Sequence, residues 1–205
     1  AQTVRIFLPG YTKLTEKQLQ VAPDLWQQLT NYVDYLNNKY RVPLLVEPPC
    51  IDDLKVVLKG VINNSPADKI GLQKKDRILK INGTEVRTRV EAFNRLVGLE
   101  DPEIVYSHAG KIKQQRLDKP ADEKSGVVLD YDISWQRLLN IQDEIKVRQA
   151  QRVVLLTSQL AADIIRAGMN KIKCELESNI EIEIIPVVSQ FFAGNIKAAG
   201  LLVVD

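Results

Sequence analysis

The pattern of apolar and polar positions divides the chain into three parts and a polar connector. In residues 1–50 it predicts four elements. A strand at residues 4–8 is followed by a short helix that opens at a capping box of Thr15 and Gln18. A second helix at residues 25–36 follows Pro23, and a strand at residues 42–46 completes the segment. So few elements do not bury a core unaided. We therefore expect residues 1–50 to form an α/β segment that is the tail of a larger domain or a cap on the next module.

Residues 51–118 carry closely spaced turn signals between short strands. Ser65 is suited to cap a short helix, and Gly71 supplies a left-handed residue at its end. Asn82-Gly83 lies between two alternating segments and is the strongest signal for a two-residue hairpin. The remaining elements are strands at 56–62 and 76–81, a helix at 90–97, and a hairpin at 104–117 about Ala109-Gly110. The pattern predicts one small module that mixes sheet and helices.

The last part, residues 153–205, predicts the order strand, helix, strand, strand. The apolar run at 153–156 is typical of a buried strand, and Ser158 is suited to cap the helix that follows. Alternation at 180–188, a turn at 191–195 and an apolar run at 196–204 complete a small βαββ sheet domain. Residues 119–152 open with a polar stretch containing Pro and Gly, and we expect them to be a connector. The fold class is therefore α+β or α/β.

Composition removes several classes of function. A formal net charge of +2 is too small for nucleic-acid binding through bulk charge, and no apolar run reaches the length of a membrane span. The sequence opens without a signal peptide, so we expect a cytoplasmic protein with no nucleic-acid and no membrane partner. The only methionine is Met169 and the sequence starts at Ala1, which favours an excised piece of a longer protein.

The middle module resembles a PDZ domain of the bacterial type. The resemblance rests on Ser-Pro-Ala-x-x-x-Gly-Leu at residues 65–72, followed by Asp-Arg-Ile-Leu-x-Ile-Asn-Gly at residues 76–83. It implies a PDZ-like β-sandwich with two helices and a peptide groove beside the strand at 54–62. The residues that it assigns to this groove are Leu54, Val56, Leu58, Val90, Phe93 and Val97.

Two positions depart from that family's pattern. Lys75 stands where the family usually has glycine, so the turn before Asp76 is expected to be strained. The segment before Val56 contains Asp52 and Asp53 and no glycine. Two carboxylates repel the carboxylate of a peptide C-terminus, so this segment is poorly suited to hold one.

Other stretches resemble a bacterial family in which a domain of unknown function accompanies PDZ and radical-SAM iron–sulfur domains. They are residues 119–129, 154–162 and 187–202. The resemblance implies a non-catalytic region that positions a substrate or partner within a larger protein, beside an adjacent catalytic domain. Such an enzyme needs three cysteines spaced Cys-x₃-Cys-x₂-Cys, whereas this chain has only Cys50 and Cys174. A [4Fe–4S] cluster and S-adenosylmethionine would therefore belong to the parent protein, and we expect no cofactor in this chain.

Two alternatives stay open. One is a free-standing adaptor whose PDZ groove recruits a peptide or protein segment. The other is a small-molecule enzyme with an anion or ligand site at Ser158, Gly194 and Asn195, where a helix begins. The single histidine, His108, without a Gly-x-Ser-x-Gly elbow, argues against a serine protease. We expect Cys50 and His108 to serve packing and not metal binding.

Overall fold

A computed structural model describes residues 3–7, 14, 23–176 and 180–187. The described residues fall into two units, the first drawn from Ala1–Ile6, Asn31–Leu45 and Leu54–Trp135, the second from Phe7–Thr30, Val46–Asp53 and Gln136–Asp205. This division differs from the expected segments 1–50, 51–118, 119–152 and 153–205, because both units combine stretches that are distant in the sequence. Long-range contacts of this kind leave no trace in local hydrophobic periodicity.

The helices and strands follow one another in a mixed order. They are β1 (Val4–Phe7), α1 (Pro23–Lys39), β2 (Leu44–Glu47), β3 (Gly60–Val61), α2 (Pro66–Lys69), β4 (Arg77–Ile81), β5 (Thr84–Glu85), α3 (Arg89–Leu96), β6 (Glu103–His108), β7 (Lys111–Arg116), β8 (Val127–Val128), α4 (Trp135–Val147), β9 (Arg152–Ser158), α5 (Ala162–Leu176) and β10 (Glu181–Val187). The expected connector at 119–152 thus contains a strand and a helix. No helix in the described ranges has the length and apolar character needed to cross a bilayer.

The first unit is built on an antiparallel sheet in the order β5-β4-β6-β7. Its two hairpins turn at Asn82-Gly83 and Ala109-Gly110, and all four residues have positive φ. Two successive left-handed residues are the signature of a turn whose twist matches that of the flanking strands. Both predicted hairpins are therefore confirmed.

Local helix signals are also confirmed. The Ser65 hydroxyl accepts a hydrogen bond from the backbone N–H of Asp68 and caps α2, and Gly71 follows with φ +76°. Lys75 has φ +72°, a conformation that is costly for a residue with a Cβ. The predicted strain at this turn is therefore present in the structure.

The core of the first unit lies between the sheet and the helices α2 and α3. Its buried apolar side chains are Val56, Leu58, Ala67, Leu72, Ile78, Ile81, Val86, Ala92, Leu96, Ile104, Tyr106, Leu117 and Val127. β4 departs from the predicted alternation: Ile78 and Ile81, three positions apart, are both buried, and the pairing with β6 shifts register between Ile78 and Lys80. Val127 belongs to the same core although it was expected in a connector.

The start of β2 is tied to neighbouring elements of the first unit. Asn37 donates to the carbonyl of Leu44 (2.8 Å) and accepts from the backbone N–H of Leu44 (2.7 Å). Pro43 lies so close to Gly60 that a Cβ at Gly60 would stand 2.6 Å from the Pro43 Cγ. The predicted helix and both predicted strands are confirmed as α1, β1 and β2, whereas Thr15 and Gln18 lie outside the described residues.

In the second unit, β9 and β10 form a parallel pair with Arg152 opposite Glu181 and Ser158 opposite Val187. The predicted strand, helix, strand order is confirmed by β9, α5 and β10. α4 packs closely against α5, since a Cβ at Gly168 would meet a Leu138 methyl at 2.8 Å. The predicted turn at 191–195 and the last strand at 196–204 lie outside the described residues.

Candidate peptide-binding groove

β8 pairs antiparallel with β3, with Val128 opposite Gly60 and Val127 opposite Val61. The carbonyls of Gly126 and Val128 accept hydrogen bonds from the N–H groups of Ile62 and Lys59, each at 2.9 Å. Main-chain groups of successive strand residues point to opposite edges, so those of Val127 face away from β3. Among the described strands none pairs with that second edge. β8 therefore offers an edge to an added strand, and at this edge the Val127 N–H donates to the Ser125 Oγ at 3.4 Å.

The loop that leads into β8 is held against α2. Gly126 has φ +85°, and a Cβ there would stand 2.0 Å from the Ser65 hydroxyl oxygen. The preceding Ser125 carbonyl accepts from the Ala67 N–H at 2.9 Å. Only glycine satisfies both the left-handed backbone and this close approach. The start of β8 is thus placed firmly beside the core.

α3 forms the wall opposite β8. Leu96 is buried, whereas Phe93 and Val97 are 52% and 61% exposed although both are apolar. A cavity of about 390 Å³ lies between this helix and residues 121–129, in the size range of ligand-binding clefts. We call the part of this cavity that lies between α3 and residues 121–129 the trough. The arrangement combines the edge of β8 with this apolar trough beside it.

Asp132 connects the far end of β8 to the start of α3. Its carboxylate accepts from the backbone N–H groups of Arg89 (2.7 Å) and Val90 (3.0 Å). Burial raises the pKa of Asp132, although these hydrogen bonds and the charge of Arg89 oppose that rise. The interaction ties the start of α3 to the segment that follows β8.

The opposite end of the trough is also built from hydrogen bonds. The ammonium group of the buried Lys119 donates to the carbonyls of Leu99 and Pro120 (2.9 Å to the latter). The backbone of Lys119 exchanges two hydrogen bonds with Asp101, at 2.9 and 3.0 Å. These bonds join the turn after α3 to the segment that leads into residues 121–124.

The mouth of the trough carries mixed charge. The exposed residues Asp122, Glu123 and Lys124 lie directly before β8 and line the cavity. Two carboxylates beside one ammonium group leave this loop with no excess of positive charge. The loop is therefore poorly matched to a lone carboxylate ligand.

The six residues that the sequence assigned to a groove separate in the structure. Val56 and Leu58 are core residues with 2% and 1% exposure, and Leu54 and Val90 are half-buried and do not line the cavity. Phe93 and Val97 line the cavity together. The edge of the strand region 54–62 is occupied, by β8 at Gly60 and Val61 and by the bridge from Val57 to Arg77.

Sequence reasoning missed the segment 125–129 because it was treated as part of a connector. One signal pointed to it. Ser125-Gly126 stands before the apolar run Val127-Val128-Leu129, and a glycine followed by apolar residues is typical of a turn entering a strand. Nothing local to these residues indicates that β3 is their partner.

Of the residues proposed for an anion site, only Ser158 lies within the described residues. Ser158 ends β9 and precedes a short 3₁₀ turn, and its side chain makes no capping hydrogen bond. Gly194 and Asn195 lie outside the described residues. A separate apolar cleft of about 410 Å³ in the second unit is lined by residues of α4 and β9, with Arg148 and Arg152 among them.

Potential metal and acid–base residues are engaged in ordinary contacts. The Sγ of Cys50 lies 3.1 Å from the Gln27 Oε1, and the Nδ1 of His108 lies 2.8 Å from the Asp76 Oδ1. Glu181 and Glu183 both pair with Arg152, at 3.8 and 2.8 Å. Across the described ranges, no three His, Cys, Asp or Glu side chains gather as metal ligands.

Comparison with known proteins bears on the first unit. Among solved structures, the PDZ domain of the SdrC-like protein from Listeria monocytogenes is similar at 23% identity, covering 38% of this chain and 88% of that chain with a TM-score of 0.30. No curated protein matches the chain. The family model described as a PDZ domain matches residues 57–104, and the mixed helices and strands of the first unit are consistent with a PDZ-like α+β fold.

Proposed function

With the PDZ domain at residues 57–104 as the premise, we propose that this chain binds an extended peptide segment of a partner protein. The peptide adds as a strand to the second edge of β8 and lies between β8 and α3. The observation that carries the proposal is the open edge of β8 beside the cavity of about 390 Å³.

The main chain provides the affinity in this binding mode. An added strand exchanges hydrogen bonds with the carbonyl of Val127 and the main-chain groups of Leu129, which requires no particular peptide side chain. The Val127 N–H donates to the Ser125 Oγ at 3.4 Å and would exchange that partner for the peptide. Specificity comes from alternate peptide side chains, one set of which points into the apolar trough beside Phe93 and Val97. The preferred peptide is therefore apolar at alternate positions.

Selection from random peptides tests the proposal. Heptapeptides displayed with free C-termini and, separately, between flanking residues are selected on the full chain, and the enriched sequences are measured by fluorescence anisotropy. Val97→Asp is expected to weaken binding at least about tenfold, because it places a charge in an apolar trough. Ile112→Asp is the matched control, since Ile112 is 64% exposed on β7.

NMR spectroscopy locates the site independently of the variants. Backbone signals of residues 125–129 and of α3 are expected to shift on peptide addition, while those of β7 stay in place. The proposal fails if neither library yields a binder, or if Ile112→Asp weakens binding as much as Val97→Asp does.

The wider setting that we propose is a partner-positioning region within a larger radical-SAM-like iron–sulfur protein. The support is the resemblance of residues 119–129, 154–162 and 187–202 to that family. Two cysteines do not suffice for the cluster, so the catalytic residues would lie in another part of the polypeptide. Sequencing the gene around this segment tests the proposed setting. A Cys-x₃-Cys-x₂-Cys motif in the same gene supports it, whereas a complete gene without that motif supports only the adaptor function.

A further inference from the structure

The cavity beside β8 and α3 has a further wall that comes from the N-terminal segment. Thr3, which precedes β1, and Leu45 of β2 line the same cavity as Phe93 and Val97 of the α3 side. β1 and β2 form a two-stranded sheet of their own, apart from the four-stranded sheet that carries the PDZ-like fold. Residues 57–104 alone would therefore leave this side of the cavity open.

Contacts just before Leu45 fix its position. The Pro43 carbonyl accepts from the N–H of Val4 at 3.0 Å, and Pro43 rests closely against Gly60. Gly60 is paired with Val128 of β8. These contacts attach β2 to the strand that pairs with β8, so Leu45 has a defined place beside the groove.

Burial separates the bottom of the cavity from its rim. Leu45 and Leu96 are 3% and 2% exposed although both line the cavity, whereas Phe93 and Val97 are more than half exposed. A lining side chain that water hardly reaches lies at the bottom of a cleft, and an exposed one lies at its mouth. Leu45 and Leu96 therefore form an aliphatic floor, which offers no side-chain hydrogen-bonding group to a ligand.

Resting on the function proposed above, we propose that Leu45 is a specificity-determining residue of the groove, because it sets the depth of the pocket that receives one peptide side chain. The bound peptide carries a large aliphatic residue, Leu, Ile or Met, at that position. Tyr and Trp are disfavoured there, since their polar groups would be buried without partners. The N-terminal segment and residues 57–129 then form one composite binding site.

The experiment compares peptide selection by the wild-type chain, Leu45→Ala and Val46→Ala. Val46 is the matched control, because it neighbours Leu45 in β2 and is also buried but does not line the cavity. Side chains of successive strand residues point to opposite sides, which explains this difference. The probes are the random heptapeptide libraries, followed by one selected peptide synthesised with Ala, Leu or Phe at the enriched position. Thermal unfolding of each variant checks that the fold is intact.

We expect the wild-type chain and Val46→Ala to enrich Leu, Ile or Met at one position and to bind the Leu peptide at least about tenfold more tightly than the Ala peptide. Leu45→Ala removes three carbon atoms from the floor and deepens the pocket. The ratio of the Kd values for the Leu and Phe peptides should then shift about three- to tenfold in favour of Phe.

NMR spectroscopy of the wild-type chain tests the contact without any substitution. With methyl groups labelled, those of Leu45 are expected to give nuclear Overhauser effects to the enriched peptide side chain. The methyl groups of Leu72 are the control, since Leu72 is buried in the core of the same unit and does not line the cavity.

Four results overturn the inference. They are enrichment of Tyr or Trp by the wild-type chain, a Leu-to-Phe ratio that is unchanged in Leu45→Ala, an equal shift in Val46→Ala, and the absence of contacts between the Leu45 methyl groups and a bound peptide. If no peptide binds the wild-type chain, the proposed function itself has failed. Binding that does not depend on Leu45 rejects only the composite site.

Discussion

The carboxylate of Asp132 caps the N-terminus of α3 at Arg89, a residue 43 positions earlier in the chain. It accepts the backbone N–H of Arg89 at 2.7 Å and also contacts the guanidinium of the same residue at 3.4 Å. Both side chains are buried. One interaction therefore joins the segment that follows β8 to the helix on the other side of the groove.

Asp132→Asn is expected to lower the free energy of unfolding by about 1–3 kcal/mol, because Oδ2 accepts the Arg89 N–H and Oδ1 the Val90 N–H, and an amide replaces one of these oxygens with a donor. Peptide affinity should fall as well, since the start of α3 is no longer tied to the segment that follows β8. Urea denaturation and fluorescence anisotropy measure the two effects. An unchanged unfolding midpoint contradicts the assigned role.

The same variant tests the pH dependence. Burial raises the pKa of Asp132, so the folded chain keeps this proton to higher pH than the unfolded chain does. The resulting contribution to stability is complete below the unfolded pKa, about 4, and is lost as pH rises through the folded pKa. The stability advantage of the wild-type chain over Asp132→Asn should therefore shrink as pH rises through that window. Urea midpoints for both proteins at a series of pH values measure it, and parallel curves would count against the raised pKa.

Gly126→Ala is expected to destabilise the first unit by about 2–5 kcal/mol, since a left-handed backbone and a side-chain clash act together. The clash is with Ser65, whose oxygen would lie 2.0 Å from the new Cβ. Gly71→Ala is the matched control, because Gly71 has φ +76° but no heavy atom within 4 Å of its Cβ position. It should cost about 1–2 kcal/mol, from the backbone alone. Equal losses of stability in the two variants would exclude the close approach at Gly126.

Lys75→Gly is expected to stabilise the protein by up to about 1 kcal/mol, because removing the Cβ relieves a left-handed residue at some cost in chain entropy. The φ of Lys75 is +72°. Lys74→Gly serves as the control. Lys74 does not have a positive φ, so glycine relieves no strain there and the variant should lose stability. Thermal unfolding compares the two, and a lower midpoint for Lys75→Gly contradicts the expectation.

The mixed charge of Asp122, Glu123 and Lys124 predicts how strongly the groove distinguishes a free peptide C-terminus from an amidated one. An antiparallel peptide places its C-terminus at the start of β8, beside Asp122, Glu123 and Lys124. Because two carboxylates offset the single ammonium group, a free C-terminus and its amide should bind with Kd values within about threefold of each other. Anisotropy with one selected peptide in both forms measures the ratio. A tenfold preference for the free carboxylate would show that backbone N–H groups of the loop dominate.

Most of the local structure could be read from the sequence. The hairpins at Asn82-Gly83 and Ala109-Gly110, the Ser65 cap and the strain at Lys75 all depend on the φ values and hydrogen bonds of residues close together in the chain. Such features follow from the side chains at those positions, so a single sequence is enough to predict them. The PDZ domain was recognisable for the same reason, since its motif consists largely of turn-forming and capping residues.

Which segments form the groove depends on the tertiary structure. Phe93 and Val97 line the cavity, whereas Val56 and Leu58 are in the core. The pairing of Val128 with Gly60 depends on a strand register across 68 positions, for which local periodicity carries no information. Likewise, only the folded chain brings Leu45 to the cavity. The sequence by itself determined the hairpin turns, the Ser65 cap and the PDZ motif, whereas the edge of β8 and the lining of the cavity depend on which distant segments the core brings together.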